Sequence, residues 1–378
     1  MANNRALQRA AKAQQDEFYT SMPDIAEELR HYRDHFRGKK ILCNCDDPYE
    51  SKFFKYFALS FNVFGLAKLT ATCYSGSPIA HRQLTLGFDE DDTPPQKRVP
   101  YAAEITDLRD YNGDTATDYL DIEYMLKHNV GARVWELEGD EKFGRGDFRS
   151  RECIELLKDA DIVVTNPPFS LFREYVAMLM KYNKKFIIIA SMNAITYKEI
   201  FPLFMSNQIW LGFGFRGGNA YFTAPKYDPE RFAKGVYNPE NQTLKFRNCH
   251  WFTNLDIKKR HEFMNLFQSY TQHPENYPRY DNYDAIEVSR TQDIPADYDG
   301  VMGVPITFMD KYNPEQFEIL GRADANIAGE NNPYYIPGFK DKGGTPMING
   351  RCIYKRILIR KIADPTAISS VIHHGGDE

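Results

Sequence analysis

The feature that most restricts this chain is an alternation of short, unbroken apolar runs with amphipathic segments. After Gly38, the stretch Lys39–Cys45 reads as a strand, as do Lys68–Tyr74, Ala132–Leu137, Asp161–Thr165 and, most strongly, Lys185-Phe-Ile-Ile-Ile-Ala190. Ser51–Phe64 (with Phe53, Phe54, Phe57, Leu59 and Phe61), Arg151–Lys158 and Leu171–Tyr182 read as helices between them. Apolar runs without polar alternation belong to strands covered on both faces. Strands separated by helical crossovers pair in parallel. The pattern therefore predicts an α/β fold with a doubly wound, mostly parallel sheet, whose ligands sit beyond the carboxyl ends of the strands. Residues 76–130, with Asp89-Glu-Asp-Asp-Thr-Pro-Pro95, read as an insertion, and Cys249–Leu255 and Ile257–Phe267 as a closing strand and helix. After about residue 222, Pro, Asn and Tyr accumulate, as in Tyr227-Asp-Pro, Tyr237-Asn-Pro and Tyr277-Pro. The expected division is a first domain over 1–270 and a loop-rich module over 271–378, to which 223–248 can also belong.

Composition excludes more than it selects. The 378 residues suggest about two domains, and 42% hydrophobic with 26% charged residues exclude a disordered or collagen-like chain. No apolar run approaches the ~20 residues of a membrane span, and Met1–Gln15 does not resemble a signal peptide. Six cysteines make no disulfide framework, so the expected compartment is a reducing cytoplasm. Cys43-x-Cys45 with Cys73 and His81, or Cys249-His250, lacks paired zinc-ligand spacing, so no metal is expected. A net charge of −5 gives no global positive field. Locally, however, Arg351, Lys355, Arg356, Arg360 and Lys361 share a stretch without an acid, and Arg5, Arg9 and Lys12 precede the first acid, Asp16. Each cluster can be a solvated face or a phosphate contact. Aromatics reach 14%, with 26 Phe and 24 Tyr, enough for stacking surfaces as well as cores.

The sharpest local signal is Asp161-Ile-Val-Val-Thr-Asn166-Pro167-Pro168-Phe169. Proline donates no backbone hydrogen bond and holds the preceding residue extended. The Asn166 carboxamide oxygen and the Pro167 carbonyl are thereby expected to face the cleft beyond the strand. Two acceptors so placed suit an exocyclic amino group, with Phe169 to stack on a flat ring. A plain strand terminator is the alternative; the buried strand ahead and the aromatic behind argue against it.

This segment resembles the Asp/Asn-Pro-Pro-aromatic motif of amino-methyltransferases that use S-adenosylmethionine. Glu17-Phe18-Tyr19-Thr20, followed by Pro23, Ile25-Ala26 and Leu29, resembles the N-terminal cofactor motif of the class whose recognition domain comes last. Leu42-Cys-Asn44-Cys-Asp46-Asp47-Pro48 ends the first strand where the cofactor motif lies, and Gly146-Asp147-Phe148 stands where an acid meets the cofactor's adenine. Together with Asp281–Val288, Asp293-Ile-Pro295 and Tyr298–Pro305, this order is similar to the EcoRI-type adenine-specific DNA methyltransferases over about 16–330. One departure is plain: Asp47-Pro48-Tyr-Glu-Ser51-Lys-Phe lacks the Gly-x-Gly loop that lets backbone approach a ligand. The methionine moiety must then be held differently, and Asp46 and Asp47 can cap a helix as well as bind.

The resemblance implies a class I methyltransferase fold with a C-terminal target-recognition module. It implies S-adenosylmethionine as cofactor and double-stranded DNA as substrate, with a flipped adenine methylated at N6. It further implies catalysis by a monomer and, in a restriction–modification setting, a cognate endonuclease acting on the same site. Asn166, Pro167, Pro168 and Phe169 would be catalytic. Phe18, Tyr19, Thr20, Asn44, Asp46, Asp47, Pro48, Asp147 and Phe148 would hold the cofactor. Arg216, Asn219, Phe222, Arg351, Lys355, Arg356, Arg360 and Lys361 would meet DNA. Gly212–Gly218 reads as a hairpin between late strands, which would bring Tyr221 or Phe222 to the target base or, equally, into the core. The alternatives are a protein-glutamine or RNA-base amino-methyltransferase and a non-catalytic DNA-binding relative. The Phe18-Tyr19-Thr20 motif and the large C-terminal region argue against the first, and the intact Asn166–Phe169 against the second.

Overall fold

The computed structural model describes residues 19–48, 51–73, 100–111, 113, 117–223, 236–238, 240, 243–324 and 332–362. Phe18, the N-terminal cations Arg5, Arg9 and Lys12, and much of the expected insertion lie outside them. The chain divides into two compact units, Met1–Ile200 with Leu211–Leu255, and Phe201–Trp210 with Asp256–Glu378.

In the first unit the chain runs β1 (Tyr19–Thr20), α1 (Met22–Leu29), β2 (Lys40–Cys43), α2 (Lys52–Leu59), β3 (Lys68–Thr72) and β4 (Tyr101–Ile105). Then follow α3 (Tyr119–His128), β5 (Ala132–Glu136), α4 (Arg151–Asp159), β6 (Ile162–Thr165), α5 (Phe172–Lys181) and β7 (Lys185–Ser191). The short β8 (Trp210–Leu211), of which Leu211 belongs to this unit, β9 (Asn219–Thr223), β10 (Tyr237–Asn238), β11 (Thr243–Arg247) and β12 (Cys249–Thr253) complete it. The large sheet has the order β5-β4-β3-β2-β6-β7-β12-β8. Its centre, β3-β2-β6-β7, is parallel, and β4 and β12 run against it. Every residue of β6 is buried, as its unbroken apolar run requires of a central strand. Helices begin where the side chains can cap them. Ser21, Ser51, Asp118 and Ser150 each accept from a backbone N–H of the following first turn.

The expected insertion belongs to the sheet. It contains β4, which slips antiparallel between β3 and β5, and α3. The signal was hidden because Glu104 interrupts the apolar run, and only the fold supplies its cation, Lys68 on β3, at 2.9 Å. The closing helix expected over 257–267 is corrected to a single 3-10 turn, Lys258–His261. Beyond it the Gln316 side chain takes both backbone groups of Met264, at 2.7 Å each, and Phe263 and Phe267 stand exposed with no core to face.

Gly212–Gly218 is likewise not a hairpin within one sheet. It carries the chain from β8 of the large sheet to β9 of a separate antiparallel sheet, β1-β9-β11-β10. The buried Glu28 of α1 accepts the Phe213 and Gly214 N–H groups (2.8 and 2.9 Å) and the Tyr32 hydroxyl (2.8 Å). A Cβ on Gly212 would lie 2.1 Å from the Glu28 carboxylate, so glycine is required there for close approach.

The second unit is built on a sheet of β13 (Ile286–Glu287), β14 (Met302–Val304), β18 (Arg356–Lys361) and β15 (Phe317–Ala323), in that order, beside the ribbon β16 (Met347–Ile348) and β17 (Arg351–Cys352). Tyr280, Tyr283, Ala285, Val301, Ala323 and Leu358 form a buried cluster in it. Buried polar contacts order the loops here: the buried Asp341 accepts from Asn282 Nδ2, the Tyr335 hydroxyl and the Gly343 and Gly344 N–H groups. Among the described residues no helix is long and apolar enough to cross a membrane.

Candidate active site

Three chain segments meet beyond the carboxyl ends of the parallel strands. The loop after β2 brings Asn44 and Cys45, the loop after β5 brings Gly146, Asp147 and Phe148, and the loop after β6 brings Pro168 and Leu171. They wall an open cleft.

Asn44 is the informative wall residue. Its carboxamide oxygen accepts from the hydroxyl of Tyr175, a buried residue of α5. That leaves Nδ2 as a buried donor with no hydrogen-bond partner among the described residues, an arrangement native interiors avoid unless something else supplies the acceptor. Tyr175 also packs edge-on against Phe148, with ring centroids 5.0 Å apart. Burial, first of all, raises its phenol well above the ordinary value, so it remains a donor. The neighbouring Asp147 is set by local turns. Its N–H bonds the Gly144 carbonyl, and its carboxylate takes Arg149 at Nε and Nη2 (3.0 and 2.8 Å).

The acids after β2 are held in hydrogen bonds within the fold. Asp46 is buried and is not among the residues that wall the cleft. Its carboxylate accepts the Ser51 hydroxyl at 2.7 Å and the Thr165 hydroxyl at 2.5 Å, and burial raises its pKa to about 6. Asp47 accepts the Tyr101 hydroxyl at 2.9 Å, and Pro48 is buried. Thr20 is buried on β1, paired with Phe222 of β9, and its hydroxyl finds no hydrogen-bond partner among the described residues; Tyr19 pairs with Thr223. Asn166 (8% exposed) and Pro167 are buried directly after β6, while Pro168 and Phe169 are half-buried. The Pro168 carbonyl accepts the Leu171 N–H, turning the chain into α5.

Two of the residues assigned to DNA, Phe222 and Arg356, need correction. Phe222 has no exposed surface. Its ring lies among Phe169, Phe215 and Phe246, with centroids 6.4, 6.4 and 5.4 Å away, so it is core and supports Phe169 from behind. Arg356 is turned inward, its guanidinium on Glu287, with side chains only 10% and 5% exposed. Lys355, Arg360 and Lys361 are paired with Asp324, Glu318 and Asp299. Asn219 donates to the Gly217 carbonyl, while Arg216 is exposed beside Glu27, and Arg351 is exposed. Sequence reasoning missed Cys45, Leu171, Tyr175 and Arg149. Only the step from Phe169 into the next helix could have pointed to Leu171 and Tyr175.

With this geometry in view, comparison with known proteins is decisive. The family described as adenine-specific methyltransferase EcoRI matches residues 6–362. The chain belongs to that family. It is 42% identical to the type II methyltransferase M.EcoRI of Escherichia coli over 95% of this chain and 97% of that one. It is 34% identical to M.MpnI of Mycoplasma pneumoniae over 93% and 97%, and 32% identical to M.MgeORF184P of Mycoplasma genitalium over 93% and 98%. No solved structure gives a significant match. As a member of a methyltransferase family, the chain is an enzyme that works with a methyl donor.

Proposed function

We infer that the chain is a site-specific DNA adenine-N6 methyltransferase that takes its methyl group from S-adenosylmethionine. The observation that carries this reading is the cleft itself, where the unsatisfied donor of Asn44 shares one wall system with the loop of Asn166-Pro-Pro-Phe169. The residues present fit such a cofactor. Asn44 Nδ2 offers a hydrogen bond to one of its acceptors, Phe148 a flat apolar flank, and Asp147 the remaining acceptor capacity of its carboxylate. When bound, the cofactor supplies an electrophilic methyl group on a sulfonium.

The chain's own residues then act on the amine. An adenine stacked in duplex DNA cannot present its amino group, so it must be extruded. Asn166 and the Pro167 carbonyl accept its two N–H groups, which favours a pyramidal nitrogen with an available lone pair. Phe169, braced by Phe222, stacks on the ring. Catalysis is then positioning and preorganised dipoles. The second unit reads sequence, and the protein acts as a monomer in the cytoplasm, in a restriction–modification setting beside an endonuclease of the same specificity.

Unmethylated genomic DNA exposed to the protein and S-adenosylmethionine should acquire N6-methyladenine at one short sequence, mapped by single-molecule sequencing. Asn166→Ala should abolish transfer while cofactor affinity and melting temperature stay near wild type. A folded Asn166→Ala chain that methylates at the wild-type rate would refute the mechanism.

A further inference from the structure

Asp46 lies beside the cleft without lining it, and its contacts run elsewhere. Its N–H donates to the Thr72 carbonyl at the end of β3 (3.1 Å), which fixes the loop after β2. One carboxylate oxygen receives Ser51 Oγ–H, and Ser51 Oγ in turn accepts the Phe53 and Phe54 N–H groups at the start of α2 (3.1 and 3.4 Å). The other receives Thr165 Oγ1–H from the last residue of β6. Each hydroxyl has one proton to give, and both give it to the same carboxylate. Asn44 and Cys45, on the wall of the cleft, immediately precede Asp46. Asn166 immediately follows Thr165, one peptide link or ~3.8 Å between Cα atoms.

We propose that Asp46 is a positioning residue: through Thr165 it clamps the end of β6 to the loop after β2, and so sets Asn166 against the cofactor cleft. The proposal rests on the reading that Asn166 receives the target amine. A carboxylate suits the role because it accepts from both hydroxyls at once, and the buried site excludes water that would compete. Removing either end of the Asp46–Thr165 link leaves both neighbouring loops in place but loosens their mutual register. A misplacement of ~1 Å is enough to slow a reaction ~100-fold.

The test uses the full chain, S-adenosylmethionine and a duplex carrying the methylated sequence. Thr165→Val, which keeps volume and removes the hydroxyl, should slow single-turnover transfer ~10–100-fold while the cofactor Kd by calorimetry changes less than ~3-fold. Asp46→Asn should behave alike, the double variant should be no slower than either single one, and Thr165→Ser should restore the rate. Thermal melts identify any variant that has lost its fold; the Thr165→Val and Thr165→Ser pair then decides. Equal slowing in Thr165→Ser would assign the effect to packing of the γ-methyl, and cofactor affinity lost in step with rate would make Asp46 a cofactor contact; either overturns the clamp. So does a wild-type rate in Thr165→Val. A wild-type chain that methylates no adenine is a separate result, which removes the underlying reading and the clamp with it.

Discussion

Asp46 shows how burial turns a carboxylate into a pH-dependent term. Desolvation raises its pKa to about 6, with Asp47 adding repulsion, against the opposing hydrogen bonds from Thr165 and Ser51. The unfolded chain releases this proton near 3.8, so between roughly pH 4 and 6 the folded state holds a proton that the unfolded state has lost. Stability from this group is full below that window and declines as pH rises through 6, by roughly 3 kcal/mol at 1.36 kcal/mol per pKa unit. Melting temperature of Asp46→Asn, followed from pH 4 to 7, should lack that decline; a parallel decline would assign the effect elsewhere. At the cleft, Tyr175 dictates which end of the Asn44 amide faces the cavity. Tyr175→Phe removes that instruction, and Asp147→Ala removes an acceptor. Each should weaken S-adenosylmethionine binding by ~1–3 kcal/mol, the range for hydrogen bonds to charged groups and for unsatisfied partners. Calorimetry on the folded variants checks both, and unchanged affinity would displace the cofactor from this cleft.

At the scale of elements, β18 and the segment before it look uniformly basic in sequence, yet they are largely neutralised. Arg356 lies against Glu287, both side chains nearly buried, and Lys355, Arg360 and Lys361 meet acids 31, 42 and 62 residues earlier in the chain. Removing one partner of a buried pair strands the other, at ~3–5 kcal/mol. Arg356→Gln should therefore melt much earlier than wild type yet leave the salt dependence of DNA binding unchanged. Arg351→Gln should do the reverse, lowering the log–log slope by about 0.9 if it neutralises one phosphate. Titrations of DNA affinity against salt separate the two; equal slopes in both variants would count against Arg351 as a contact. The β8–β9 connection makes a second test of element-level packing. Gly212→Ala forces a methyl onto the Glu28 carboxylate and should destabilise by ~1–3 kcal/mol, read by chemical denaturation.

At the scale of the molecule, the two compact units divide the labour proposed for them: the first carries the cleft and the Asn166 loop, the second a sheet and loops held by buried polar networks around Asp341. A ligand that binds only the folded first unit must stabilise it by mass action. S-adenosylmethionine at 100 times its Kd should add about 2.7 kcal/mol, seen as a rise in melting temperature that Asp147→Ala diminishes. A melting temperature unmoved by cofactor at that excess would contradict cofactor binding by the native fold.

What the sequence determined by itself is what depends on neighbours along the chain. The apolar runs of β2, β6 and β7 specified buried parallel strands because side-chain period is local, and Asn166-Pro-Pro-Phe169 announced its loop because proline acts on its own and the preceding residue. Of the motif residues, Asn44, Asp147, Phe148 and Pro168 line the cleft. Tertiary structure alone decided which charges remain available, since Glu287, Glu318 and Asp324 reach the basic stretch only through sheet pairing and loop closure. It also decided that Phe222 is core, that β4 joins the sheet, and that Asp46 turns away from the cleft toward Thr165, 119 residues distant in sequence. Burial and partner choice are set by residues far apart in the chain, and no local period or spacing encodes them.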